Sequence, residues 1–120
     1  YAPVRLKKLT ETVQKMEELL CRDLVLSSDY VILDGIYHME LAKAGKNRLL
    51  EILDRHYFSR WEELSKGDVV AMNNPARSNL VLATEQHRKI VEAIKLKAYD
   101  LGMMRIFEHY KTFLYYNQED

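Results

Sequence analysis

The stretch Leu33-Asp34-Gly35-Ile36-Tyr37-His38 decides how this chain is read. It sets a carboxylate and an imidazole four residues apart in a segment of helical pattern, so both project from one face. Val31, Asp34, His38 and Leu41 form one stripe at helical spacing, and a stripe of that kind normally faces a core. A buried carboxylate beside a buried imidazole is costly unless something pairs with both, and a divalent metal is one such partner. The remaining sequence must then supply further donors, or the pair is a polar anomaly in a core.

Outward from this stretch, Ser27 and Ser28 offer an N-cap and Gly45 a terminator, which predicts a helix running to about Ala44. Before it, Leu6, Leu9, Val13, Met16 and Leu20 alternate with charged residues at three- and four-residue intervals, an amphipathic helix that stops near Arg22-Asp23. After it, Asn47 opens a helix with Leu49, Leu50, Leu53, Tyr57, Trp61 and Leu64 on its apolar side. Residues Asp68 to Asn79 have loop chemistry, with Asn73-Asn74-Pro75 as the sharpest break and room for a short helical piece after Pro75. Thr84 reads as the N-cap of the next main helix, whose face carries His87, Ile90, Val91 and Ile94. Asp100 reads as the cap of the last helix, which runs to about Asn117 with Gly102, Ile106, His109, Phe113 and Tyr116 along one side. No segment shows sustained period-two alternation bounded by hairpin signals. The expected fold is all-α, an antiparallel bundle of five to six helices.

At 120 residues the chain is one domain spanning 1–120. Lysine plus arginine and aspartate plus glutamate both total 18, a balance that argues against this chain clamping nucleic acid by itself and leaves no polybasic membrane patch. Its apolar runs are far short of the roughly 20 residues needed to cross a bilayer, and no signal peptide is visible. The single cysteine, Cys21, excludes an internal disulfide and fits a cytoplasmic location; it reads as a small apolar residue near a helix end. The chain begins at Tyr1 and is read as part of a longer protein.

Asp34, His38, His87 and His109 each lie on the apolar stripe of their own helix. One histidine on such a face reads as a hydrogen-bonded core residue; three, with an aspartate, on helices that must pack together point to a metal site. The fourth histidine, His56, falls at the flank of its stripe. Arg60 falls within the Leu53-Tyr57-Leu64 face, and two readings of it stand: a guanidinium at the bundle edge paired with a glutamate, or a residue that binds an anionic ligand.

Asp34-Gly-Ile-Tyr-His38, followed by Leu41-Ala-Lys-Ala-Gly-Lys-Asn47-Arg-Leu-Leu, resembles the D-x-x-F-H and L-x-x-A-x-G-N-x-x-L signature of the FadR C-terminal (FCD) domain. That domain is the effector-binding half of one branch of the GntR transcription regulators. Glu85-Gln-His87-Arg-Lys-Ile90-Val-Glu-Ala93-Ile94 is similar to the family's E-H-x-x-I-x-x-A-I, and Met104 through His109 resembles its closing M-x-x-H. The resemblance implies that Asp34, His38, His87 and His109 hold a divalent ion, with zinc, nickel and manganese all compatible. It implies a homodimer, a small carboxylate or hydroxy-acid effector at the ion with Arg60 as its counter-charge, and DNA contact only through an N-terminal winged helix-turn-helix. That domain and the helix usually preceding the one at Leu6 are not in this sequence. Two positions depart from the pattern. Lys97-Ala98 stands where the family often has Gly-Asp, and the glutamate usually beside the first histidine of the second motif is at Glu85.

Two other readings stay open. A metalloenzyme could use the same open site, although Glu40, Glu51 and Glu92 fall off the apolar stripes and leave no inward general base, so the chain is read as a non-enzyme. A metal-free dimerisation bundle with core histidines is the third.

Overall fold

The computed structural model describes residues 3–45, 69–71 and 75–116. Four helices and one two-stranded ribbon lie among them: α1 (Pro3–Leu19), β1 (Leu24–Leu26), α2 (Ser27–Gly45), β2 (Val69–Ala71), α3 (Pro75–Lys95) and α4 (Tyr99–Tyr116). The chain is mostly helical, as expected. The helix anticipated from Asn47 to Leu64, and with it His56 and Arg60, lies outside the described residues.

α1 packs against both α2 and α3, and α3 against α4. The expected stripe on α1 is the buried one: Leu9, Val13 and Met16 are fully enclosed and Leu19 nearly so. They meet Tyr30, Tyr37 and Leu41 from α2 and Leu80, Ile90 and Ile94 from α3, in a core that Ile106 and Tyr110 close from α4. Burial of apolar surface at about 25 cal/mol per Å² drives this assembly.

Two expectations from the sequence need correction. Leu24-Val25-Leu26 and Val69-Val70-Ala71 form an antiparallel ribbon, with Val25 opposite Val70. Three-residue strands are too short to display a period, although Val25 is buried between exposed neighbours. The helix placed after Thr84 begins at Pro75, whose fixed φ and missing N–H suit a first helical position. Thr84 is therefore interior and buried; its hydroxyl donates to the Leu80 carbonyl at 2.8 Å and meets the Tyr30 hydroxyl at 2.8 Å.

Both helix ends at α3 are built from specific contacts. Arg77, buried in the first turns of α3, donates its guanidinium to the carbonyls of Leu20, Arg22 and Asp23, so it caps the end of α1 and fastens the turn leading to β1. At the other end Lys97 takes a left-handed φ of 57°. The Lys97 amide donates to Ile94 and the Ala98 amide to Ala93, both at 2.9 Å, a Schellman closure that turns the chain into α4. Cys21 is exposed in the turn after α1. No helix among the described residues is long and apolar enough to cross a membrane.

Candidate metal centre

Asp34 and His38 sit one turn apart on the buried side of α2, His87 on α3 and His109 on α4; all four are at most 1% exposed. The helices bring their tips together. His87 Nε2 lies 3.0 Å from His109 Nε2, and His109 Nε2 lies 3.3 Å from His38 Nε2. Asp34 Oδ1 is 3.2 Å from His87 Nε2 and 3.4 Å from His38 Nε2. The four residues singled out in the sequence thus form one cluster.

The carboxylate is the anomaly in it. Both Asp34 oxygens are buried and neither has a hydrogen-bond partner, because the two nearby imidazoles lie within reach but do not aim an N–H at them. A buried carboxylate without hydrogen bonds is strongly disfavoured and calls for a cation. Bonds of about 2.1 Å to a divalent ion set neighbouring donors about 3.0 Å apart at right angles and about 3.4 Å apart at the tetrahedral angle. The four separations observed fall in that window, so the three imidazoles, with the carboxylate beside two of them, suit a divalent metal in donor type.

The other nitrogen of each ring is engaged elsewhere. His38 Nδ1 meets the Tyr110 hydroxyl at 2.9 Å, His109 Nδ1 donates to Gln86 Oε1 at 2.7 Å, and His87 Nδ1 meets Met16 Sδ at 3.3 Å. The Gln86 amide is oriented by its own Nε2, which donates to Thr112 Oγ1 at 3.4 Å. These contacts are the kind that orient metal-binding imidazoles and leave Nε2 facing the site. Met16, Tyr110 and Gln86 carried no such role in the sequence reading. The available signal was indirect: a buried imidazole needs a partner for its second nitrogen, and Gln86 and Tyr110 each flank a candidate ligand.

Electrostatics favour uncharged rings. Burial pushes the His87 imidazole well below its ordinary value, and His109 and His38 act in the same direction. Burial also pushes His109 well down, with His38 adding to it. Neutral imidazole is the form that binds a metal. Close by, burial raises the Tyr30 phenol well above its usual range and the Asp34 charge raises it further, so that hydroxyl keeps its proton, 3.2 Å from the Leu80 carbonyl and 2.8 Å from the Thr84 hydroxyl.

Glu40 is a correction to the sequence reading. It is buried, but its carboxylate faces α1, with Arg5 at 2.9 Å and Lys8 at 3.9 Å, and takes no part in the cluster. Glu92 is exposed beside Arg88, and Glu51 lies outside the described residues. No family profile, no curated protein and no solved structure matches the chain.

Proposed function

We propose that this chain is the effector-sensing domain of a bacterial transcription regulator of the FadR C-terminal type, in which Asp34, His38, His87 and His109 hold a divalent metal. The observation that carries the reading is the Asp34 carboxylate, buried without a hydrogen bond beside the Nε2 atoms of His38 and His87, which cluster with that of His109. A divalent ion held there supplies positive charge and exchangeable coordination positions for a small carboxylate or hydroxy acid.

The chain's own residues do the rest. Asp34 neutralises one charge of the ion and leaves a net positive site, which suits an anionic effector. Tyr110, Gln86 and Met16 orient the three rings. Arg60 is the candidate counter-charge for the effector. Sensing is favoured over turnover because Glu40, the buried carboxylate nearest in sequence to His38, is already paired with Arg5 and Lys8. In this reading two copies associate, and effector binding shifts the arrangement in which they present N-terminal winged helix-turn-helix domains to DNA.

The test is metal analysis of protein purified without a histidine tag. About one equivalent of zinc, nickel or manganese is expected, retained by His56→Ala and lost from His87→Ala. Equal retention by both variants would show the donor assignment to be wrong. Less than about a tenth of an equivalent, with no thermal shift on adding metal, would remove the metal reading altogether.

A further inference from the structure

We propose that Met16 is a positioning residue for the metal site: its thioether accepts the Nδ1 proton of His87 and so keeps that imidazole in the tautomer whose Nε2 is free to coordinate. The inference rests on the metal-binding reading above and concerns a residue of α1, which among the described helices is the one that contributes no ligand.

The periodicity of α1 makes Met16 an ordinary core residue, and it is fully buried. Its sulfur, however, stands 3.3 Å from His87 Nδ1. A thioether has no proton to give, so the shared hydrogen belongs to the imidazole. Among the described residues no other acceptor reaches this nitrogen. The opposite tautomer has a ready acceptor of its own. His87 Nε2 is 3.0 Å from His109 Nε2, and His109 already gives its Nδ1 proton to Gln86, which leaves its Nε2, also 3.3 Å from His38 Nε2, without a proton and able to accept one. A proton on His87 Nε2 would be welcomed there and would block the metal. Met16 gives the Nδ1 tautomer, the one a metal needs, an acceptor of its own. In the loaded site it also spares a buried N–H from having no partner at all.

Outer partners of metal-binding histidines are commonly carboxylates or carbonyls, and their loss typically weakens metal binding 10- to 100-fold. Leucine fills nearly the same volume as methionine without accepting a hydrogen bond. Met16→Leu should therefore leave the thermal midpoint of the metal-free protein close to wild type. Cobalt(II) affinity, read from visible absorption, should fall by about 10- to 100-fold. Nitrogen-15 NMR should find His87 protonated on Nδ1 in the wild type and shifted toward Nε2 in Met16→Leu. Met16→Gln, whose amide oxygen accepts the same proton, should restore the affinity.

Wild-type cobalt affinity and an unchanged His87 tautomer in Met16→Leu would overturn the role of Met16 and leave the metal site standing. Failure of the wild-type protein to bind cobalt or zinc would overturn the site and this role with it. Should Met16→Leu not fold, the wild-type spectrum still decides, since a proton on Nε2 of His87 in the metal-free protein contradicts the proposal.

Discussion

The Tyr37 ring lies nearly parallel to the His87 imidazole, with centroids 4.0 Å apart and planes 19° from parallel, and its hydroxyl donates to the His87 carbonyl at 3.0 Å. Tyr37 precedes His38 in the chain, so one side chain clasps α2 to α3 at the place where both present donors. Tyr37→Phe keeps the stack and loses the hydrogen bond; urea unfolding should show a loss of about 1 kcal/mol. Tyr37→Ala removes the ring as well and should cost about 3–5 kcal/mol. A Tyr37→Phe protein of unchanged stability would show that the bond contributes nothing net.

Asp34→Asn should act in opposite directions on the two states of the site. Without metal, an amide replaces a buried charge that has no hydrogen bond, and its N–H can reach the neighbouring imidazole nitrogens. Thermal unfolding of the metal-free variant should show a gain of about 1 kcal/mol or more. The same variant should lose metal in an equilibrium titration. Lower stability together with retained metal would contradict the account of Asp34.

The pH dependence of the metal-free protein follows from His87 and His109. Both have native values well below the ordinary 6.5, so between those native values and 6.5 the unfolded chain binds more protons than the folded one. The stability they contribute is complete above about pH 6.5 and is lost as pH falls from there through the lowered native values. Denaturant unfolding measured from pH 8 downward should show that decline, and His87→Gln should flatten it. A profile level down to pH 5 would contradict the burial of neutral rings.

Metal should stabilise by mass action. With free ion at about 1,000 times its dissociation constant the gain is about 4 kcal/mol, visible as a rise in thermal midpoint that a chelator reverses. The shift should be absent from His109→Ala.

Two residues near the junction of α3 and α4 are poorly matched to their backbone positions. Lys97 occupies a left-handed φ of 57° that glycine adopts without strain, so Lys97→Gly should stabilise by about 0.5–1 kcal/mol. Gly102 is in the body of α4, and an added methyl would meet Ala93 Cβ at 3.8 Å and Ile94 Cγ1 at 3.9 Å, ordinary contact. Gly102→Ala should gain a similar amount from helix propensity, about 0.5–1 kcal/mol. Thermal midpoints of the two variants and the double variant test this, with near-additivity expected.

The mostly helical character and the burial of Asp34, His38, His87 and His109 were legible because each helix shows its inner face in the spacing of its apolar residues. The features that escaped depend on partners far away in sequence. Thr84 has a good capping side chain, and only the Leu80 carbonyl and the Tyr30 hydroxyl around it explain why it serves in a helix interior. Arg77 looks like loop chemistry until the carbonyls ending α1 are seen to surround it. Met16 reads as plain core because periodicity reports which way a side chain faces and says nothing of which atom it meets. The reach of Tyr110 to His38, from α4 to α2, is invisible for the same reason.

The ribbon pairing Leu26 with Val69 closes the chain on itself, and the donors divide across that closure. Asp34 and His38 belong to the segment that ends with α2; His87 and His109 belong to the segment that starts with β2. A cut within residues 46–68 would give two polypeptides, each carrying two of the four proposed donors and one strand of the ribbon. Neither piece would hold an ion alone, and metal capture would report their reunion.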